Sequence, residues 1–91
     1  MINKQQIIRQ HKLNFSNMQS LLLPLNSQIL SVDFDNNSLI LWILIDLKER
    51  KTEKRQIKIF KQREVINNLL KKKFIGTVHF KKNVFHIFEV K

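Results

Sequence analysis

Leu39 to Ile45 is an unbroken run of seven apolar, mostly branched residues, and Asp46 ends it. It is far shorter than the roughly 18 apolar residues a membrane-spanning helix needs. It reads as a central strand covered on both faces. Just upstream, Leu30, Val32 and Phe34 alternate with Ser31, Asp33 and Asp35. That is period two, the mark of a half-buried strand. Asp35-Asn36-Asn37-Ser38 joins the two stretches. Asn and Asp tolerate positive φ, so this junction is a tight hairpin turn.

Downstream, Lys48 to Glu53 reads as a charged turn. Lys54 to Phe60 is a strand with Ile57 and Ile59 on one face and Lys54, Gln56 and Lys58 on the other. Residues 62–72 change period: Val65, Ile66, Leu69 and Leu70 recur at helical spacing, which predicts a short amphipathic helix. Phe74 to Lys81 and Val84 to Val90 are two further strands around a Lys82-Asn83 turn. The first 27 residues are ambiguous. Ile8, His11, Phe15, Met18 and Leu22 suit a helix; His11, Leu13 and Phe15 suit a strand; Pro24 with Asn26-Ser27 marks a break.

The expected fold is mainly β, of the α+β kind. It is a small antiparallel sheet, curled into a sandwich or half-barrel, with one short helix near residues 62–72. The expected core is Leu30, Val32, Leu41, Trp42, Ile43, Ile57, Ile59, Leu69, Val78, Phe80 and Ile87. Trp42 reads as a core aromatic rather than a stacking platform, and Phe74, Phe80, Phe85 and Phe88 as further core builders, with a surface facing a partner as the alternative for some of them. Ninety-one residues make a single domain, 1–91. A chain of this length buries about two-thirds of its unfolded surface. One Gly and one Pro leave no flexible linker.

The absence of cysteine excludes disulfides and thiolate metal sites and fits a reducing compartment. The N-terminus lacks the apolar core of a signal peptide. Met1–Lys12 holds Lys4, Arg9 and Lys12 without an acid, as transit peptides do, but is poor in Ser and Arg. The expected location is the cytoplasm, specifically that of a host cell on the family resemblance below.

Net charge is +10, and its position is more informative than its size. Lys, Asn and Ile have AT-rich codons, so a low-GC genome would raise Lys without selection for binding. Yet residues 1–47 are neutral overall, whereas 48–73 carry eleven bases against Glu49, Glu53 and Glu64. These bases are Lys48, Arg50, Lys51, Lys54, Arg55, Lys58, Lys61, Arg63, Lys71, Lys72 and Lys73, and they are the candidate partner-binding face. Clustered charge attracts polyanions or acidic protein surfaces. Lys71, Lys72 and Lys73 would also complement the dipole of the expected helix. Lys outnumbers Arg, which favours diffuse phosphate contacts over bidentate base reading. No helix-turn-helix, zinc-finger or RNP pattern is present.

Catalytic chemistry finds few parts. Ser16, Ser20, Ser27, Ser31 and Ser38 lack a glycine-flanked elbow. Gly76, the one glycine, excludes a phosphate-cradling loop. Asp33 and Asp35 share a strand face, and read as solvated acids beside a turn. The expected turn would set His79 opposite His86, but a metal site wants three or four ligands and no third is spaced to join. No enzyme activity, metal or cofactor is expected.

Several stretches together carry a resemblance: Leu23-Pro24, Ile29-Leu30-Ser31-Val32, Leu39 to Asp46, Ile75-Gly76-Thr77-Val78 and His86-Ile87-Phe88-Glu89. In this order, over about Lys12 to Glu89, they resemble an uncharacterised family of small proteins of tailed phages and prophages. The resemblance implies a strand near Arg9–Leu13 and a phage or mobile-element origin. It supplies no activity. The family usually has a glycine-containing segment after its fifth strand, where this chain has Phe60-Lys61-Gln62-Arg63-Glu64.

The functional expectation is a non-catalytic accessory protein that binds a host protein or nucleoprotein complex through its basic face. Inhibition of a defence system such as CRISPR would be its effect. The alternatives are direct, weakly sequence-selective RNA or DNA binding, and a structural or homo-oligomeric phage component paired through an exposed strand edge. No membrane partner is expected.

Overall fold

The alternating stretch and the apolar run form the expected hairpin, β3 (Gln28–Asp35) and β4 (Ser38–Asp46). Asp35 pairs with Ser38, leaving Asn36 and Asn37 as a two-residue turn with φ of 49° and 62°. Positive φ at both central positions defines the turn whose twist matches the flanking strands. The structure, a computed structural model, describes residues 5–91. Residues 1–4, including Lys4 of the basic N-terminal stretch, lie outside it.

The remaining elements are β1 (Gln6–Leu13), β2 (Met18–Pro24), β5 (Thr52–Lys61), β6 (Lys72–Phe80) and β7 (Asn83–Val90). They make two antiparallel sheets, called A and B here, with strand orders β1-β4-β3 and β2-β5-β7-β6. The expected N-terminal strand is β1, and Pro24 ends β2 on a sheet edge, where a missing N–H is tolerated.

One apolar core joins the inner faces of the two sheets. Sheet A contributes Leu13, Ile29, Leu39, Leu41, Ile43 and Ile45; sheet B contributes Leu21, Leu23, Ile57, Ile59, Val78, Phe85 and Ile87. Leu39, Leu41, Ile57 and Ile87 are wholly enclosed. Each contributes about 1.5–3 kcal/mol by leaving water. At one end of the core, Phe15, Phe34, Phe80 and Phe85 form an aromatic cluster; the Phe34 and Phe80 ring centres lie 4.6 Å apart. At the other end, Arg55 binds Glu89.

Several expectations are corrected. The helix near 62–72 is replaced by an irregular segment holding a single 3-10 turn, Leu69–Lys71. Arg63 and Asn68 take φ of 69° and 56°, which a helix cannot accommodate. A segment this short is helical only when packing supports it, and Val65, Leu69 and Leu70 are exposed. Leu69 therefore leaves the expected core. Leu30 leaves it too: β3 bulges between Ile29 and Ser31, so Ile29 turns inward and Leu30 is 39% exposed. Trp42 is likewise not a core residue. β4 is central in sheet A, but only Leu39, Leu41, Ile43 and Ile45 face the core; Ile40, Trp42 and Leu44 sit half-buried on the opposite face. Phe74 is 55% exposed, because β6 bulges between Phe74 and Gly76 and reverses the alternation. The final turn is Lys81-Lys82, with Phe80 paired to Asn83.

The two bulged strands meet. A Cβ on Gly76 of β6 would lie 2.8 Å from Val32 Cγ1 of β3, so only a bare α-carbon fits this approach.

Candidate polyanion-binding face

β5 has a strict division of labour. Its odd residues Ile57 and Ile59 face the core, and its even residues Thr52, Lys54, Gln56 and Lys58 face outward. Antiparallel register sets the neighbours of that outer face. Leu22 is beside Lys54; Ser20, Gln56, Val90 and Lys72 form one cross-sheet row; Met18, Lys58, Phe88 and Phe74 form the next. A third row holds Phe60, His86 and Thr77. Among the described residues, no Asp or Glu lies on this face of sheet B.

The face mixes charge with exposed apolar surface. Leu22, Phe74 and Met18 are 70%, 55% and 45% exposed. Lys58 Nζ lies 5.0 Å from the Phe60 ring centre, within cation–π range. Phe88 packs edge-on against Phe60 and also meets Phe74, with ring centres 5.5 and 5.3 Å away. Phe60 and Phe88 are buried, so Phe74 is the ring of this group left facing solvent. Lys72 Nζ donates to the Asn67 carbonyl at 2.6 Å, which anchors the 62–71 segment to the rim. Thr77 Oγ1 and His86 Nδ1 are 2.8 Å apart.

Of the eleven candidate bases, Lys54, Lys58 and Lys72 are brought together on this surface. Lys48, Arg50 and Lys51 lie in the β4–β5 turn at the Lys54 end, where Glu49 accepts the Lys51 amide at 2.9 Å. Lys61 and Arg63 lie at the far end of β5, and Glu64 accepts the Lys61 amide at 3.1 Å. Lys71 closes the 3-10 turn and Lys73 points to the reverse face of β6. The helix-dipole role foreseen for Lys71–Lys73 disappears with the helix.

Arg55 departs from the group. It faces inward, where its guanidinium binds the Glu89 carboxylate through Nε and through Nη2 at 3.0 Å. Nη1 donates to the Ser27 carbonyl at 2.7 Å. The hydrogen bond to Glu89 holds the Arg55 pKa above its ordinary value, against the opposing effect of burial. The expectation that Arg55 joins the basic face is thereby corrected: strand alternation puts it on the Ile57 side.

His79 pairs with Val84 and His86 with Thr77, so the two imidazoles are diagonal neighbours rather than opposite each other. The shifted turn is the cause. The described residues contain no cluster of three or more His, Cys, Asp or Glu able to hold a metal. Asp33 and Asp35 share the outer face of sheet A, as their spacing requires. Sequence alone does not assign Met18 and Leu22 to the surface, and it counts Phe74 among rings that build the core or face a partner. Met18-Ser20-Leu22 against Leu21-Leu23 is a period-two signal for the first two, but the bulge that turns Phe74 outward leaves no mark in the pattern.

Residues 4–91 match the family described as Domain of unknown function (DUF7352). The chain belongs to this family, which agrees with the resemblance to an uncharacterised family. No curated protein and no solved structure is significantly similar to the chain. No helix among the described residues is long and apolar enough to cross a membrane.

Proposed function

We propose that the chain is a non-catalytic binding protein of phage or mobile-element origin that docks on a host nucleoprotein machine through the outer face of sheet B. Obstruction of a defence complex such as a CRISPR effector is the effect this predicts. One observation carries the reading: a sheet face with Lys54, Lys58 and Lys72, no acid among the described residues, and exposed apolar side chains between the charges. The lysines suit phosphates held at varied geometry, and the apolar residues suit the protein part of such a target. Two layers packed as a sandwich would hold this face rigid. The host cytoplasm is where such a target would be met.

Direct binding of single-stranded RNA or DNA is the second reading. Phe74 supports it, since an exposed ring beside Lys58 and Lys72 is a stacking platform flanked by phosphate contacts.

Affinity capture from host lysate, with and without nuclease treatment, tests both. Recovery of one protein complex that survives nuclease supports the first reading. Recovery of nucleic acid alone supports the second. Recovery of neither overturns both.

A further inference from the structure

The outer face of sheet A is built for a partner of a different kind. Ile40, Trp42 and Leu44 form its central row along β4, each half-buried. Ile8 on β1 and Leu30 on β3 flank this row and are 57% and 39% exposed. Near Ile40 the face is concave: a cavity of about 330 Å³ is lined by Gln10, Lys12, Asp35, Asn36, Ser38 and Ile40. Among the described residues of these strands, Asp33, Asp35 and Asp46 belong to this face together with the base Lys12.

The register gives the face an internal symmetry. Lys12 pairs with Ile40, and Ile40 with Asp33, so one cross-sheet row reads Lys12-Ile40-Asp33. The next row reads Gln10-Trp42-Ser31. Lys12 and Asp33 lie two strands apart, about 10 Å, rise side by side from one face and form no ion pair within the chain. A two-fold axis along β4 exchanges the flanks. It lays β1 of one copy over β3 of another, setting each Lys12 against the other copy's Asp33 and Trp42 against Trp42. Sheets stacked face to face sit about 10 Å apart, a gap that an extended Lys and an Asp bridge.

We propose that this face binds a second copy of the chain, forming a two-fold dimer around Trp42. One argument favours a copy over another occupant: the Lys12-Ile40-Asp33 row is self-complementary in charge about the β4 axis, as an isologous interface requires, with Asp46 at the end of β4 the one acid that the axis sets against its own copy. A face of three strands is a small one, so the dimer is a weak, concentration-dependent one. This inference is independent of the proposed function, since sheet B keeps its outer face free.

Charge exchange tests it without relying on loss of fold. Sedimentation equilibrium of the full chain should show a monomer–dimer equilibrium. Lys12→Asp alone sets Asp against Asp33, and Asp33→Lys alone sets Lys against Lys12. Each should weaken the dimer about tenfold or more, the size of effect that about 1.4 kcal/mol produces. Mixing the two single variants restores both contacts, so a heterodimer should form that neither variant forms with itself. A wild-type chain that stays monomeric over the whole concentration range overturns the proposal. So does a dimer indifferent to both variants, which would place the contact on a strand edge such as β1. Failure of the two folded variants to pair on mixing also overturns it.

Discussion

Arg55 and Glu89 are held together on the inner face of sheet B, two residues off direct register, since Glu89 pairs with Ile57. The guanidinium also reaches the Ser27 carbonyl, so one side chain ties β5 and β7 to the connection between the two sheets. Ser27 is itself fixed, its hydroxyl donating to the Pro24 carbonyl at 2.6 Å.

Removing one partner leaves a charge with little solvent. We expect Glu89→Gln to destabilise the fold by about 2 kcal/mol, below the full value for a wholly buried pair because some exposure remains. Arg55→Lys keeps the charge but loses the fork and should lose a similar amount. Urea denaturation checks both. The pH response has a definite sign. A cation whose pKa rises on folding contributes its stability fully below the unfolded value and loses it as pH climbs through the folded one. For Arg55 that window is strongly alkaline, so its contribution should stay flat through neutral pH.

Gly76 allows β6 to approach β3. Gly76→Ala puts a methyl against Val32 Cγ1, and we expect a loss of about 1–3 kcal/mol from overpacking. Val32→Ala in the same chain should recover part of it. Thermal melting of the two single variants and the double variant measures the coupling.

Lys54, Lys58 and Lys72 should act together in binding. For a nucleic-acid ligand, each Lys→Ala change should reduce the salt slope by about 1 and weaken binding similarly for all base sequences. Replacing all three with Glu should abolish binding. Arg55→Lys should leave affinity unchanged per folded molecule, although Arg55 lies in the same charged stretch. Fluorescence titration at several salt concentrations separates these outcomes.

Val65 and Leu70 are 76% and 99% exposed in the 62–71 segment. Changing both to Ser should shift stability by no more than about 0.5 kcal/mol. Under a packed amphipathic helix, the same change would be severe. Urea denaturation distinguishes the two.

The hairpin was legible because two independent signals agreed. Alternation marked β3, and Asn36-Asn37 supplied the positive φ that the turn demands. β5 was legible from alternation, but grouping Arg55 with Lys54 and Lys58 by charge overrode that alternation, which puts Arg55 on the Ile57 side. The errors share two causes. Bulges at Leu30 and Ile75 shift parity without changing composition, so alternation puts Leu30 in the core and does not decide that Phe74 faces outward. Apolar spacing in 62–72 mimicked a helix, since periodicity does not reveal whether an element finds something to pack against. Trp42 shows the same limit from the other side: an unbroken apolar run says nothing about how many layers cover it.

The separation of Asp33, Asp35 and Asp46 from Lys54, Lys58 and Lys72 makes the molecule an electric dipole as well as a cation. A polyanion exerts a torque on such a body before touching it. The chain should therefore arrive with sheet B leading, so a larger share of encounters are productive than for a uniformly charged particle of the same net charge. Added salt should slow association more than it speeds dissociation, because the screened quantity is the field that orients the approach.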